Sequence, residues 1–335
     1  IQDNDLIAAT SGRGFWILDD LGAIQNIKTT KQSLSIFKPK DTYLIFGGSV
    51  NRFVPGLGQN PKSGVTFDYY LNQDIDTLTL TLDVLKNGNI LRTISSEKVH
   101  NFKSWPGGPP KPQTLPAKEG YNRFTWDFNR NALPGIENVF VHGSHVGGSV
   151  APGNYTLRLT LGKVTAETEV TILKDPTVNA TAAAYNEQQV MIDQIEAAIR
   201  EIHESVNSMR SAKTQLQDYA KLLKDNEEAN SLLKTGEVLI KKINAWERQL
   251  IQPDQKTFQD VINFNNKLSS QLMHLKGYIE AVDPAITAGA KERLSDLIST
   301  WNVYQNERDD LMNKDMTSFN AQFSELNLPA IIIKD

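Results

Sequence analysis

Apolar and polar residues alternate with a period of two in four segments of the first half of the chain. The segments are residues 64–72 (GVTFDYYLN), 77–95 (TLTLTLDVLKNGNILRTIS), 122–129 (NRFTWDFN) and 153–173 (GNYTLRLTLGKVTAETEVTIL). Turn signals such as Lys86-Asn87-Gly88-Asn89 interrupt them, so the pattern predicts antiparallel hairpins with one buried face. About six to eight such strands predict a β-sandwich of immunoglobulin-like or fibronectin III-like type.

The pattern changes to a helical period after Asp175-Pro176. Apolar residues then recur at steps of three and four on four successive stripes, which lie in residues 195–223, 232–250, 261–282 and 294–319. Four amphipathic helices bury their stripes best against one another, so the second half predicts an antiparallel four-helix bundle. The apolar tail LPAIIIKD (residues 328–335) is expected to be extended and to pack back onto the protein.

A short apolar stretch precedes both of these regions. In NDLIAATSGRGFWILDDL (residues 4–21) a glycine-containing turn separates two apolar runs, which predicts a β-hairpin. A hairpin alone in water is marginally stable, so we expect this one to pair with the sandwich edge or another copy of the chain, or to be poorly ordered. The predicted organisation is therefore hairpin and linker (1–38), β-sandwich domain (39–175) and helical bundle domain (176–335).

Composition narrows the classes of function. The net charge is -4 and the pI about 5.8, so no basic excess predicts binding to nucleic acid or to an anionic membrane surface. No apolar run approaches 18 residues, which argues against membrane insertion. The chain has no cysteine, which excludes disulfides, thiolate metal sites and cysteine catalysis.

A series of stretches in one order points to a family. NDLIAATSGRGFWILDDL is followed by FDYYL, GYNRFTWDF, APGNYTLRLT, a KDP linker and ERQLIQPDQKTFQDVINFNNKLSSQL. Together they resemble the C-terminal region of bacterial BNR-repeat, or sortilin-like, β-propeller proteins, which are related to glycosyl hydrolases. The resemblance covers essentially the whole chain. At one position the chain departs from it, because family members often carry His where this chain has Ser11.

The resemblance has implications for architecture and location. It implies that residues 4–21 close the last propeller blade, that the other blades precede Ile1, and that the parent protein is exported to the periplasm or the extracellular space. An initial Ile rather than Met fits a processed or cut piece of a longer product. The Asp-box repeat of the family, S/T-x-D-x-G-x-x-W, does not occur in these 335 residues. Any catalytic surface of the parent is therefore expected on the propeller.

Four residues are candidates for binding a ligand. Trp105 lies in the polar, proline-rich stretch KSWPGGPPKPQ, where an aromatic ring can stack on a sugar or a partner protein; the alternative is that it folds back to cover the sandwich. With Tyr121 and the loop containing His142 and His145, it would form a binding face at one end of the sandwich.

His142 and His145 are also the only close pair of histidines in the sequence. Two imidazoles in a glycine-rich loop can contribute to a metal site, but such a site needs a third ligand, for which Asp127 or Glu137 could serve only by guesswork. We therefore expect solvated or hydrogen-bonded histidines and no metal. His203 and His274 show no partner at helical spacing.

The other catalytic patterns either have the wrong spacing or do not occur in the sequence. Asp19-Asp20 and Asp309-Asp310 are adjacent in sequence, so their side chains diverge and neither pair can form the facing carboxylates of a glycosidase. No G-x-S-x-G and no phosphate-binding glycine loop occurs. Trp126, Trp246 and Trp301 fall on apolar faces and are expected in cores.

The sequence thus predicts a non-catalytic structural and interaction region of an exported bacterial β-propeller protein, with no cofactor. Its expected partner is the upstream propeller, with a second copy of the chain and carbohydrate as further candidates. An alternative is a carbohydrate-binding accessory module of a glycoside hydrolase. A third reading, a hydrolase, requires two carboxylates that converge in a cleft.

Overall fold

The computed structural model describes residues 4–26, 32–45, 62–75, 77–281 and 283–327. Its strands are β1 (Leu6–Thr10), β2 (Gly14–Leu18), β3 (Leu34–Ile36), β4 (Thr42–Leu44), β5 (Val65–Leu71), β6 (Leu80–Lys86), β7 (Asn89–Ser95), β8 (Gly120–Trp126), β9 (Gly153–Leu161) and β10 (Val164–Lys174). Its helices are α1 (Gly22–Gln25), α2 (Ala182–Leu222), α3 (Asn230–Leu250), α4 (Leu268–Ile279), α5 (Ala288–Asp310) and α6 (Thr317–Glu325). The predicted order of strands followed by helices is confirmed.

The chain forms two compact units, which interleave along the sequence. The strand-rich unit takes residues 1–102, 111–131 and 147–189, and the helix-rich unit takes residues 103–110, 132–146 and 190–335. Two glycine- and proline-rich segments that the sequence placed in the sandwich domain therefore belong to the helix-rich unit. Helix α2 continues from one unit into the other.

The strand-rich unit contains a five-stranded sheet in the order β4-β10-β9-β6-β7 and a three-stranded sheet in the order β3-β5-β8. Their neighbouring strands are antiparallel except for β4 and β10, which are parallel. The β6–β7 hairpin turns at Asn87 and Gly88, whose φ angles of 51° and 80° explain why this position carries Asn-Gly. Apolar side chains from both sheets share one core, which contains Phe67, Tyr69, Trp126 and Tyr155.

The helix-rich unit has its own apolar core. The predicted stripes of α2, α3 and α5 are buried in it, together with Trp246 and Trp301. Four apolar residues of the segment 132–146 join the same core: Leu133, Ile136, Val139 and Val141. These side chains attach a segment without regular structure to the helices.

The third and fourth predicted helices differ from expectation at their ends. Helix α4 begins only at Leu268, because residues 258–262 form a separate 3-10 turn that starts with a capping box between Thr257 and Asp260. The fourth stripe continues through a π-helical turn, Leu311–Met316, into α6. Val282 and the tail 328–335 lie outside the described residues. No helix in the described part of the chain is long and apolar enough to cross a membrane.

Candidate functional site

The N-terminal hairpin is an exposed apolar surface. Strands β1 and β2 form a two-stranded sheet of their own, and all ten of their residues are exposed. Phe15, Trp16 and Ile17 leave 78%, 64% and 61% of their surface accessible. Exposed apolar side chains in such a concentration are typical of interaction surfaces.

Both faces of this hairpin are apolar. The register pairs Ala8 with Trp16 and Ala9 with Phe15, and successive residues of a strand point to opposite faces. One face therefore carries Trp16 and the other carries Phe15. The pairs Leu6–Leu18 and Ile7–Ile17 add one large apolar pair to each face. None of the ten strand residues is charged.

The base of the hairpin is fixed to the strand-rich unit. Lys40 forms an ion pair with Asp5 at 2.5 Å, and the Arg123 guanidinium donates to the Asp19 carbonyl at 3.3 Å. The Tyr121 hydroxyl donates to the Ala23 carbonyl at 3.3 Å. The hydrogen bond from the Asp20 amide, followed by Lys40, lowers the pKa of the Asp5 carboxyl. The hairpin thus has an anchored base and free strands.

These contacts bear on one of the outcomes expected for residues 4–21, pairing with the sandwich edge. In the described part of the chain β1 and β2 pair only with each other, so the expected pairing with a sheet edge is not observed. Tyr121, a predicted ligand-binding residue, instead stacks on Phe37 with ring centroids 5.7 Å apart and holds the segment after the hairpin. Asp20 ends the hairpin by accepting from the Gly22 amide at 2.9 Å.

A second cluster contains four of the five histidines and lies in the helix-rich unit. His203 of α2 is completely buried. Its Nδ1 lies 2.6 Å from the Pro134 carbonyl oxygen and its Nε2 2.6 Å from the Ser269 hydroxyl. Because the carbonyl can only accept, Nδ1 carries the proton and Nε2 accepts from Ser269. Burial lowers the pKa of His203 to about 4, so the ring is neutral.

His142 and His274 form a nitrogen-to-nitrogen pair. Nδ1 of His142 lies 2.6 Å from Nε2 of His274, and the rings are inclined by only 14°. Phe258 covers His142, with ring centroids 4.9 Å apart. The remaining nitrogen of His142, Nε2, is buried and finds no hydrogen-bond partner among the described residues. Burial, and then the neighbouring His274, lowers the pKa of His142.

His145 is buried beside His203, with ring centroids 5.5 Å apart. Its two nitrogens face the carbonyl oxygens of Pro134 at 3.2 Å and Gly107 at 3.1 Å. Burial lowers the pKa of His145, and the two carbonyls oppose that shift. The partners of these histidines are far apart in the sequence, so spacing along a helix could not reveal them.

Trp105 is half-buried in the helix-rich unit. Its indole N–H donates to the Val139 carbonyl at 2.9 Å, and its ring lies against Gly108 and Gly135. A Cβ at either glycine would come within 3 Å of the ring. The ring therefore packs on the loops of the helix-rich unit. Tyr121 belongs to the other unit, so the four predicted ligand-binding residues do not share one unit.

The other sequence candidates occupy structural contacts. In the described part of the chain no group of three His, Asp or Glu side chains could hold a metal ion. Glu137 pairs with Lys103 at 3.2 Å, and Asp127 accepts from the Asn129 amide at 3.3 Å.

The acidic pair in α5 makes no facing carboxylates either. Asp309 pairs with Arg308 at 2.9 Å and Asp310 with Lys314 at 2.7 Å. Both carboxylates are thus used in ion pairs on their own helical segment.

Comparison with known proteins assigns no family. No protein-family model matches the chain, and no curated protein matches it. Among solved structures, one titled pT26-6p is matched with a TM-score of 0.15 and 12% sequence identity, over 74% of this chain and 46% of that one. The chain thus spans less than half the length of that protein, and at this TM-score the match carries no argument.

Proposed function

We propose that this chain is a non-catalytic structural and interaction region of an exported bacterial β-propeller protein, and that its N-terminal hairpin completes the closing blade of that propeller. One observation carries the proposal: the hairpin is fully exposed and apolar on both faces. The sequence resemblance described above supports the identity of the partner.

The two apolar faces favour a propeller blade over an ordinary sheet edge. A sheet with one face in water alternates apolar and polar residues, whereas a sheet covered on both faces has continuous apolar strands. The blades of a propeller stack face to face around a closed ring, so each blade is covered on both faces by its neighbours. Phe15 and Trp16, on opposite faces of β2, would then each contact a neighbouring blade.

The uncharged strands give further support. Exposed strand edges in native proteins usually carry Lys, Pro or a bulge, which prevents pairing with other chains. Strands β1 and β2 have none of these, so their edges favour the addition of further strands. The anchored base, held by Lys40 and Arg123, would then fix the strand-rich unit to the propeller.

The proposal includes a finer fold assignment. We assign the two sheets to an immunoglobulin-like or fibronectin III-like sandwich. We assign α2, α3, α4 and the continuous segment of α5 and α6 to a four-helix bundle. The shared core of the two sheets supports the first assignment. The buried stripes of the long helices support the second.

The alternative, a carbohydrate-binding module, receives less support. It needs Trp105 exposed beside other aromatic rings, whereas the indole is half-buried and its N–H is used. Tyr121 uses its hydroxyl to hold the segment after the hairpin.

Thiol labelling tests the proposal, because the chain has no cysteine of its own. Ala8→Cys and Ala9→Cys place one thiol on each face of the hairpin, and Lys163→Cys in the exposed β9–β10 turn is the control. Each variant is made in this chain and in the longer gene product, and its reaction rate with a soluble disulfide reagent is measured.

We expect all three thiols to react rapidly in this chain. In the longer product, Ala8→Cys and Ala9→Cys should react at least about 100-fold more slowly, as expected for thiols in a buried sheet, while Lys163→Cys is unchanged. Protection of only one face would contradict a blade covered on both sides. Rapid reaction at both positions in the longer product would remove the proposal.

A further inference from the structure

We propose that the four histidines of the helix-rich unit form an acid-sensitive latch, which holds residues 132–146, to which residues 103–110 are hydrogen-bonded, against helices α2 and α4 at neutral pH and releases them on acidification. This inference does not depend on the proposed function. It rests on the hydrogen-bond partners of His142, His145, His203 and His274.

The latch joins irregular backbone to the helices at several points. His203 of α2 donates to the Pro134 carbonyl, and Asn207, one turn further along α2, donates to the Gly135 carbonyl at 2.9 Å. Lys276 of α4 donates to the Val146 carbonyl at 2.9 Å. Segment 132–146 is therefore held through carbonyl groups, and of these three donors only His203 changes its charge between about pH 4 and pH 7.

Protonation of His203 places a charge where there is no water. The ring is completely buried, and in its neutral form both nitrogens are satisfied, by Pro134 and Ser269. A proton on Nε2 would force the Ser269 hydroxyl to turn from donor to acceptor, and the imidazolium would remain unpaired with any carboxylate. Opening of the contact to water relieves both costs.

A further proton on the His142–His274 pair leaves a buried N–H group without an acceptor. We assign the shared proton of the neutral pair to Nδ1 of His142, which then donates to Nε2 of His274, because a proton on the buried Nε2 of His142 would have no acceptor. In this tautomer, Nε2 of His142 is a bare lone pair. If His142 is protonated, Nε2 becomes a buried N–H without an acceptor. If His274 is protonated instead, it must donate to Nδ1 of His142, and the proton of His142 moves to the same buried Nε2. Either route leaves a buried N–H group without an acceptor, which destabilises the closed contact.

The positions of these protons also argue against a metal ion between the two rings. A metal on Nδ1 of His142 would also require the proton on the buried Nε2, whereas histidine ligands normally donate their second N–H to a partner. The pair is therefore better suited to hold one proton than a metal.

Among the described residues, no hydrogen bond or ion pair joins a carboxylate to any of these four histidines. The electrostatic neighbour of His142 is His274, and that of His203 is His145. On the 3-10 turn that covers His142, Asp260 already accepts from the amides of Lys256 and Thr257.

Charged groups on the other elements are paired as well. The charged residues on or beside the two segments include Lys103 and Glu137 on the segments, Glu196 and Arg210 on α2, and Lys276 and Glu280 on α4. Lys276 lies near Glu196 and Glu280, Lys103 near Glu137, and Arg210 near Glu247, so three positive and four negative charges lie here in ion pairs with one another. His145 alone would gain from protonation, because it faces two carbonyls, but its charge would lie beside His203.

Hydrogen exchange of backbone amides measures the release. Exchange is followed at about pH 7.5 and about pH 4.5 and corrected for intrinsic rates; the amides of Leu133 and Val139 report on segment 132–146, and those of α3 are the reference in the same unit. If His203 regains its ordinary pKa of 6.5 in the open form, opening becomes about 70-fold more frequent at the lower pH. The α3 amides should change much less.

Variants separate the latch from general acid sensitivity. His203→Asn keeps a donor near Pro134 but does not titrate, and His274→Gln keeps an acceptor for His142. Each should reduce the acid response of segment 132–146 at least about threefold. His100→Gln, which changes an exposed histidine of the other unit, should leave the response at its wild-type value.

Three results would overturn the latch. The first is equal protection of segment 132–146 at both pH values in the wild-type chain, and the second is a loss of protection that is as large in α3. The third is a wild-type response in both latch variants. If His203→Asn fails to fold, the wild-type profile and His274→Gln, which changes an exposed side chain, still decide the question.

Discussion

Replacing Trp16 should weaken docking of the hairpin without destabilising the chain itself. Trp16 leaves 64% of its surface exposed in this chain. A tryptophan side chain buries up to about 250 Å², so insertion into a blade would bury about 160 Å² more. At about 25 cal/mol per Å², that burial contributes about 4 kcal/mol. Trp16→Thr keeps a good strand former, so it should lose about 3 kcal/mol of docking energy.

Calorimetry on two proteins checks this magnitude. In this chain the free energy of unfolding should change by less than about 0.5 kcal/mol, as is usual for exposed positions. In the proposed propeller protein, the unfolding transition of the propeller should lose about 3 kcal/mol. Phe15→Thr is the matched variant on the opposite face, where 78% of the side chain is exposed, and its loss should be similar.

The comparison of the two variants can refute the reasoning. Equal losses in this chain and in the longer product would mean that Trp16 supports the fold and not docking. A loss for Trp16→Thr with none for Phe15→Thr would mean that only one face is covered, which contradicts a propeller blade.

Three further predictions concern stability. Glu247→Gln should cost about 3 kcal/mol in urea unfolding followed by circular dichroism, because this carboxylate is only 5% exposed and its loss leaves Arg210, at 2.5 Å, and Lys213, at 3.2 Å, without their negatively charged partner. Gly64→Ala should cost about 3 kcal/mol in thermal unfolding, since its φ is +138° and a Cβ would lie 2.2 Å from the Trp126 carbonyl. The pKa of folded His203 is about 4 and lies below its ordinary 6.5, so the unfolded chain binds more protons in this range. The free energy of unfolding should therefore fall by about 3 kcal/mol as the pH drops from 6.5 to 4 in urea titrations.

Each of these predictions has a control. Asp315→Asn breaks a more exposed ion pair with Lys242 at 2.8 Å and should cost less than about 1 kcal/mol; an equal cost would contradict the Glu247 argument. Gly277→Ala, where a Cβ meets nothing within 4 Å, should be neutral or stabilising, and a cost near that of Gly64→Ala would contradict the close-approach argument. His203→Asn should flatten the acid loss, and an unchanged pH dependence would contradict the role of His203.

Local patterns in the sequence were sufficient for most of the strands and helices. The Asn87-Gly88 turn was predictable because few residues adopt two successive positive φ angles. The alternating strand β5 and the stripe of α2 were predictable because one face of each is buried. The third helix was overestimated, because Val261 continues the apolar stripe while the capping box at Thr257 starts a separate 3-10 turn.

Contacts between distant segments were not predictable. Leu133, Ile136 and Val139 lie among glycines and prolines that indicate an exposed loop, yet they are buried with the helices. The His142–His274 pair joins residues 132 positions apart. The sequence did show the apolar hairpin, but its anchoring through Tyr121 depends on a contact across 98 positions.

Hydrogen exchange of the hairpin amides shows whether β1 and β2 belong to a larger sheet. It is measured in this chain and in the proposed propeller protein. In this chain, those N–H groups of β1 and β2 that do not bond to the partner strand should exchange at nearly intrinsic rates. In the proposed propeller protein, these amides should become protected about 100-fold or more on at least one of the two strands, because a further strand pairs with it. Equal exchange in both proteins would contradict the account.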